Sequence, residues 1–185
     1  MVVSKTVRVS KLSAARRQLD CAIEMWFMGK DEVSVHTLAG AAHQIIFDIH
    51  RMRAAGKEML FDSLVIRDEY RKEFVDRLKR DVNFFKHADK DPDPVGFTEF
   101  YPETTEIFFL FSIIGLENLG EQKNDIENLF LLWFQVHHPN SLREDFKRQL
   151  EETGNAAKLA PMRQMSKTEF FKTGLEALAF QRTYA

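Results

Sequence analysis

The sequence predicts an all-α protein. Apolar residues recur at helical spacing along most of the chain, and no alternating strand pattern stands out. Three short polar residues stand three positions ahead of a carboxylate, the pattern of an N-terminal capping box: Asn124 with Glu127, Ser141 with Glu144, and Ser166 with Glu169. The core has ample material, with 17 Phe and an apolar share of 44% in 185 residues, so no covalent staples are needed.

The first helix is expected from about Ser10 to Met28. Leu12, Ala15, Leu19, Ala22, Ile23, Trp26 and Phe27 share one face, while Arg16, Arg17 and Glu24 lie off it. Gly29 ends it, and Asp31 or Ser34 can cap the second helix, which runs to about Arg53. That helix is expected to bury Val35, Leu38, Ala39, Ala42, Ile46 and Ile49. The small residues at its centre, Ala39-Gly40-Ala41-Ala42, allow a neighbour to approach closely. Residues 57 to 66 give no clear signal. A third helix from about Asp68 to Ala88 carries the apolar arc Phe74, Val75, Leu78, Val82 and Phe85, with Phe84 at its edge.

Asp91-Pro92-Asp93-Pro94 cannot continue a helix, since proline lacks a donor and restricts the residue before it. This is the one boundary the sequence marks, dividing a bundle over 1–90 from a helical extension over 91–185 that packs on it. Beyond it the caps and Pro102-Glu103 predict helices near 102–118, 124–138, 141–153 and 166–182.

Charge and cysteine content bound the function. Cys21 is the only cysteine, which fits a reducing, cytoplasmic setting. Met1 to Ser10 lack the apolar run of a signal peptide. The longest apolar stretch, Ile107 to Leu116, covers as a helix only about half of a ~30 Å hydrocarbon core, so no membrane partner is expected. Residues 91–128 hold nine carboxylates against Lys123 alone, within a chain whose net charge is −2. The remainder is therefore net basic. Any nucleic-acid contact must be local, and the acidic segment could offer a negative patch to a basic protein partner.

No cofactor motif is evident. His36, His43 and His50 recur every seven residues along one border of the second helix's apolar face. Seven helical residues advance about 10.5 Å, too far for neighbouring imidazoles to share one ion at ~2 Å each. The economical expectation is three amphipathic residues at the core's edge. His137 and His138 close a predicted helix, where imidazoles can hydrogen-bond the last free carbonyls.

The stretch KRDVNFFKHADKDPDP, residues 79–94, holds the strongest candidate site. Arg80, Asn83 and His87 are spaced i, i+3 and i+7, one face of a helix roughly opposite its aromatic arc, and Asp76 joins the stripe. A guanidinium, an amide and an imidazole on one surface suit phosphoryl transfer on RNA. Histidine moves a proton near neutral pH, arginine holds a phosphate and stabilises growing charge, and asparagine orients either. One helix supplies one such set. A two-fold homodimer would supply two.

Two stretches carry a family resemblance: ARRQLDCAIEMWFMGKDEVSVHTLAGAAHQII, like an opening helical pair, and Arg80-Asp81-Val82-Asn83-Phe84-Phe85-Lys86-His87. Residues 10–90 resemble the HEPN superfamily, whose signature is an arginine, a polar residue and, after four to six intervening residues, a histidine. The resemblance implies an antiparallel helical bundle and a metal-independent ribonuclease site at a homodimer interface. It assigns Arg80 and His87 as the catalytic pair, with Asp81 in the polar slot; Asn83 comes from the helix geometry. A toxin or defence effector fits that activity. Two alternatives use the same scaffold: a non-catalytic helical interaction protein, or a bundle holding a metal or haem through His36, His43, His50 or His137.

Overall fold

A computed structural model describes residues 6–53, 68–87, 92–139 and 159–184. Within them lie α1 (Lys11–Phe27), α2 (Glu32–Arg53), α3 (Asp68–Lys86), α4 (Thr104–Asn118) and α5 (Asp125–His137). A 3-10 turn (Ala160–Gln164) and α6 (Lys167–Tyr184) complete the set. The protein is all-α, with no strand among the described residues. No described helix is long and apolar enough to cross a membrane. The uncertain 57–66 stretch and the helix expected near 141–153, with its Ser141–Glu144 box, fall outside the described residues.

Local chemistry sets the helix ends. Ser10 caps α1, its hydroxyl accepting from the Ser13 amide at 3.1 Å. Gly29, at φ 61°, takes the left-handed conformation that stops α1. Asp31, rather than Ser34, caps α2, accepting from the Ser34 amide at 2.8 Å. Asn124 and Glu127 form the full reciprocal box, each side chain accepting from the other's backbone amide at 2.9 Å. At Ser166 the hydroxyl accepts from the Glu169 amide at 3.2 Å.

The α1–α2 hairpin is the centre. α3 and α4 pack on α2, while α5 and α6 pack against α1. One continuous core runs through all of them, joining Leu19, Ile23 and Phe27 to Ile46, Val82, Phe109, Trp133 and Phe171. Trp26 sits edge-on to Phe27, Phe109, Phe130 and Trp133 within 4.9–6.0 Å, a favourable aromatic geometry. Residues after Pro94 therefore share the core of the first ninety.

Gly40 brings α3 close to α2. A Cβ there would lie 2.5 and 2.8 Å from the two methyls of Val82, so the helices meet at van der Waals limits. Gly40→Ala is expected to destabilise the fold. Overpacking against a stiff β-branched side chain costs ~1–3 kcal/mol, against a helix-propensity gain of about 1 kcal/mol. A lowered urea midpoint at unchanged slope would show it, and an unchanged or raised midpoint would contradict the packing.

The histidines require a correction. His36, His43 and His50 are not at the border of α2's apolar face but inside the core, 0–3% exposed. Leu38 and Ile49, expected in the core, are only partly buried. The reason is tertiary. Phe100 and Phe108 bring their rings to 4.7 and 5.2 Å from His36, and Phe108 lies 5.2 Å from His43. Aromatic rings beyond Pro94 thus cover His36 and His43.

The acidic segment is also engaged within the chain. Glu106 accepts from His138 Nε2 at 2.7 Å, Glu117 pairs with Lys123, and Asp125 pairs with Arg182. Arg16 on α1 bridges Glu121 at 3.0 Å and the fully buried Glu127 at 3.2 Å. Burial pushes the Glu127 carboxyl up, against the Asn124 amide and the Arg16 guanidinium. Asp20 beside them is likewise raised by burial, opposed by its bonds from the Asn124 amide group. Five of the eight carboxylates described in 92–128 are thus paired with a basic side chain inside the chain.

Candidate active site

α3 carries the candidate site because its other face is occupied. Leu78 and Val82 are buried toward α2, which turns Arg80, Asn83 and His87 outward. His87 lies one residue beyond the helix, and its amide still donates to the Asn83 carbonyl at 3.0 Å, so it continues the helical path. Asp76, Arg80, Asn83 and His87 are all exposed. The structure thus brings three of the four expected site residues to an open face.

Asp81 differs. It is buried, 3% exposed, and points away from that face. One of its oxygens, Oδ1, accepts both from Arg80 Nε at 3.1 Å and from the Thr98 hydroxyl at 2.8 Å. Arg80 Nη2 donates to the Glu99 carbonyl at 2.9 Å. The Arg80 guanidinium is therefore held along one edge, while its side chain remains half exposed. Asp81 thus holds the arginine beside it and is itself withdrawn from the open face.

Behind Asp81 stands His36. Its Nδ1 lies 2.8 Å from the Thr105 hydroxyl, and its Nε2 has no hydrogen-bond partner among the described residues. Burial lowers its pKa to about 4, with the Asp81 carboxylate opposing the shift, so the imidazole is neutral at pH 7. His43 is lowered to about 4 as well, by burial and by Lys79, against Asp48.

Among the described residues no three His, Cys, Asp or Glu side chains come together as a ligand set. His137 Nδ1 is 3.1 Å from the Trp133 carbonyl, with its ring stacked 3.5 Å from that indole, the helix-end role expected of it. Elsewhere, Lys167 sits 3.8 Å over the Trp26 ring in a pocket that also includes Glu32, Glu103 and Glu106. Burial lowers the Lys167 pKa, against those three carboxylates. The charges there answer one another and dock the start of α6.

Sequence reasoning missed Thr98 and Glu99. They lie 17 and 19 residues beyond their partners on α3, inside a segment marked only by its acidity. No local pattern pairs a threonine hydroxyl or a backbone carbonyl with residues so far upstream. Comparison with family models, curated proteins and solved structures returns no match for this chain. Fold and site together define an all-α protein with an open arginine–asparagine–histidine face on one helix.

Proposed function

We propose that this protein is an endoribonuclease of the HEPN kind, cleaving RNA through Arg80 and His87 without needing a metal ion. The observation that carries the reading is the open face of α3, where an exposed imidazole and amide stand on the same stripe as a guanidinium anchored by Asp81 and Glu99. In this reading His87 takes the proton from a ribose 2′-hydroxyl, whose oxygen attacks the adjacent phosphorus. The bond to the 5′-oxygen breaks, leaving a 2′,3′-cyclic phosphate and a 5′-hydroxyl. Arg80 stabilises the charge gathering on the phosphoryl oxygens, and its two anchors reduce the reorganisation this requires. Asn83 orients the phosphate or the imidazole. A second copy of the chain, related by a two-fold axis, would supply the group that protonates the leaving oxygen. Growth arrest by such an activity would suit a toxin or defence effector.

The internal pairing of the acidic segment favours this reading over a role in presenting a negative patch to a basic partner. Those carboxylates are also less available to repel RNA. The test uses the purified full chain with single-stranded RNA and a chelator. Cleavage with cyclic-phosphate and 5′-hydroxyl ends is expected. Intact RNA after prolonged incubation at neutral pH would overturn the proposal.

A further inference from the structure

The segment after Pro94 does more than hold Arg80. Its side chains alternate. Thr98 turns in to Asp81, and Phe100 turns in to lie 4.7 Å from His36 and 5.2 Å from Phe85. Phe97 and Tyr101 turn out, 89% and 57% exposed, and Phe84 of α3 is 37% exposed. The guanidinium of Arg80 is bonded to the carbonyl of residue 99, midway along the chain between the two outward rings. Two residues span at most ~7 Å, so the backbone carrying each ring lies within about that distance of Glu99, whose carbonyl holds the arginine. With residues 98 to 100 anchored, both rings project from a fixed stretch of backbone.

We propose that Phe97 and Tyr101 form a stacking platform for unpaired RNA bases on either side of Arg80, selecting single-stranded over duplex RNA. The inference rests on the ribonuclease reading of the same site and adds the residues that bind its substrate. Aromatic faces accept any unpaired base, and a guanidinium adds a further flat, cationic surface. A duplex hides its base faces and cannot use the platform.

Charge makes the proposal sharper. Residues 76–99 carry five basic side chains against six carboxylates, so the stretch offers no net positive charge. Phosphate neutralisation therefore contributes little, and stacking supplies most of the affinity. Binding should depend only shallowly on salt, falling less than about tenfold between 50 and 200 mM.

The test is an anisotropy titration of labelled oligoribonucleotides, single-stranded and duplex, with the full chain carrying His87→Ala so that the RNA stays intact. Single strands are expected to bind more tightly than duplex. Phe97→Ala with Tyr101→Ala should weaken single-strand binding about 10- to 100-fold, with helical content and solution mass unchanged. Phe97→Trp with Tyr101→Phe should restore it. Equal affinity in the alanine variant, a preference for duplex, or a change of solution mass in place of affinity would overturn the platform. The last result would assign the rings to a contact between proteins. Binding through the rings by a wild-type chain that cuts no RNA would overturn the nuclease reading alone. Cleavage that ignores the rings would overturn the platform alone.

Discussion

Lowering the pH from 7 to about 4 is expected to destabilise the protein strongly through two buried histidines. His36 and His43 titrate ordinarily at 6.5 but are held down to about 4 by burial. The sign follows directly. Between those values the folded chain keeps both imidazoles neutral while the unfolded chain protonates them, so unfolding takes up protons and stability falls with pH. The loss begins near pH 6.5 and is complete below about 4. Each histidine accounts for roughly 3 kcal/mol, a large share of a typical stability of ~5–15 kcal/mol.

The groups around the two rings set their balance. Asp81 on α3 favours a charged His36, Asp48 favours a charged His43, and Lys79 opposes the latter. Asp20 and Glu127, whose pKa values are raised, work in the opposite direction at the acid end of the window. Urea unfolding across pH 7 to 4.5 measures the sum. A slope approaching two protons, roughly 2.7 kcal/mol per pH unit, is expected near pH 5. His43→Leu should remove about half of it. A midpoint that stays level from pH 7 to 5 would contradict the burial of both imidazoles.

The same histidines show what a sequence conveys and what it withholds. Helical periodicity placed α1, α2 and α3 with nearly correct ends, because each helix carries its own apolar stripe, and Ser10 and Asp31 cap the first two. The reciprocal box at Asn124 and Glu127 was legible for the same reason, since both partners lie within one turn. The small residues around Gly40 correctly marked a close approach, though not that Val82 would be the neighbour. What failed is what depends on distant parts of the chain. A histidine beside an apolar stripe resembles an edge residue until Phe100, Thr105 and Phe108 arrive to cover it. Arg16 was placed correctly off the face of its own helix. Glu121 and Glu127, more than a hundred residues later, make it a bridge to α5.

The candidate site divides along the same line. The spacing of Arg80, Asn83 and His87 fixed their common face, which one helix determines alone. The burial of Asp81 needs Thr98, and the posture of Arg80 needs the Glu99 carbonyl. Neither is visible from α3 itself. The structure buries Asp81, the residue of the polar slot, against the arginine it positions, and the proposal keeps Arg80 and His87 as its reacting groups.

The second large effect concerns that pair. Removing a general acid or base typically costs 10²–10⁴-fold in rate, and removing a charge stabiliser at the phosphoryl group costs about 10²–10³-fold. His87 and Arg80 are both exposed, so neither truncation opens a cavity in the core. Arg80→Ala also frees a buried carboxylate at Asp81. For that reason Arg80→Lys serves as a companion variant: it keeps the charge but loses the two-point anchoring of the guanidinium.

Groups that act in one step lose their effect together rather than separately. The most direct measurement is therefore the single-turnover rate of RNA cleavage, in chelator, by the parent chain, Arg80→Ala, His87→Ala and the double variant. Each single variant is expected to fall at least about 10²-fold, and the double variant to be hardly slower than the worse of the two. Single variants that cleave at the parent rate, or losses that simply multiply in the double variant, would contradict the proposal.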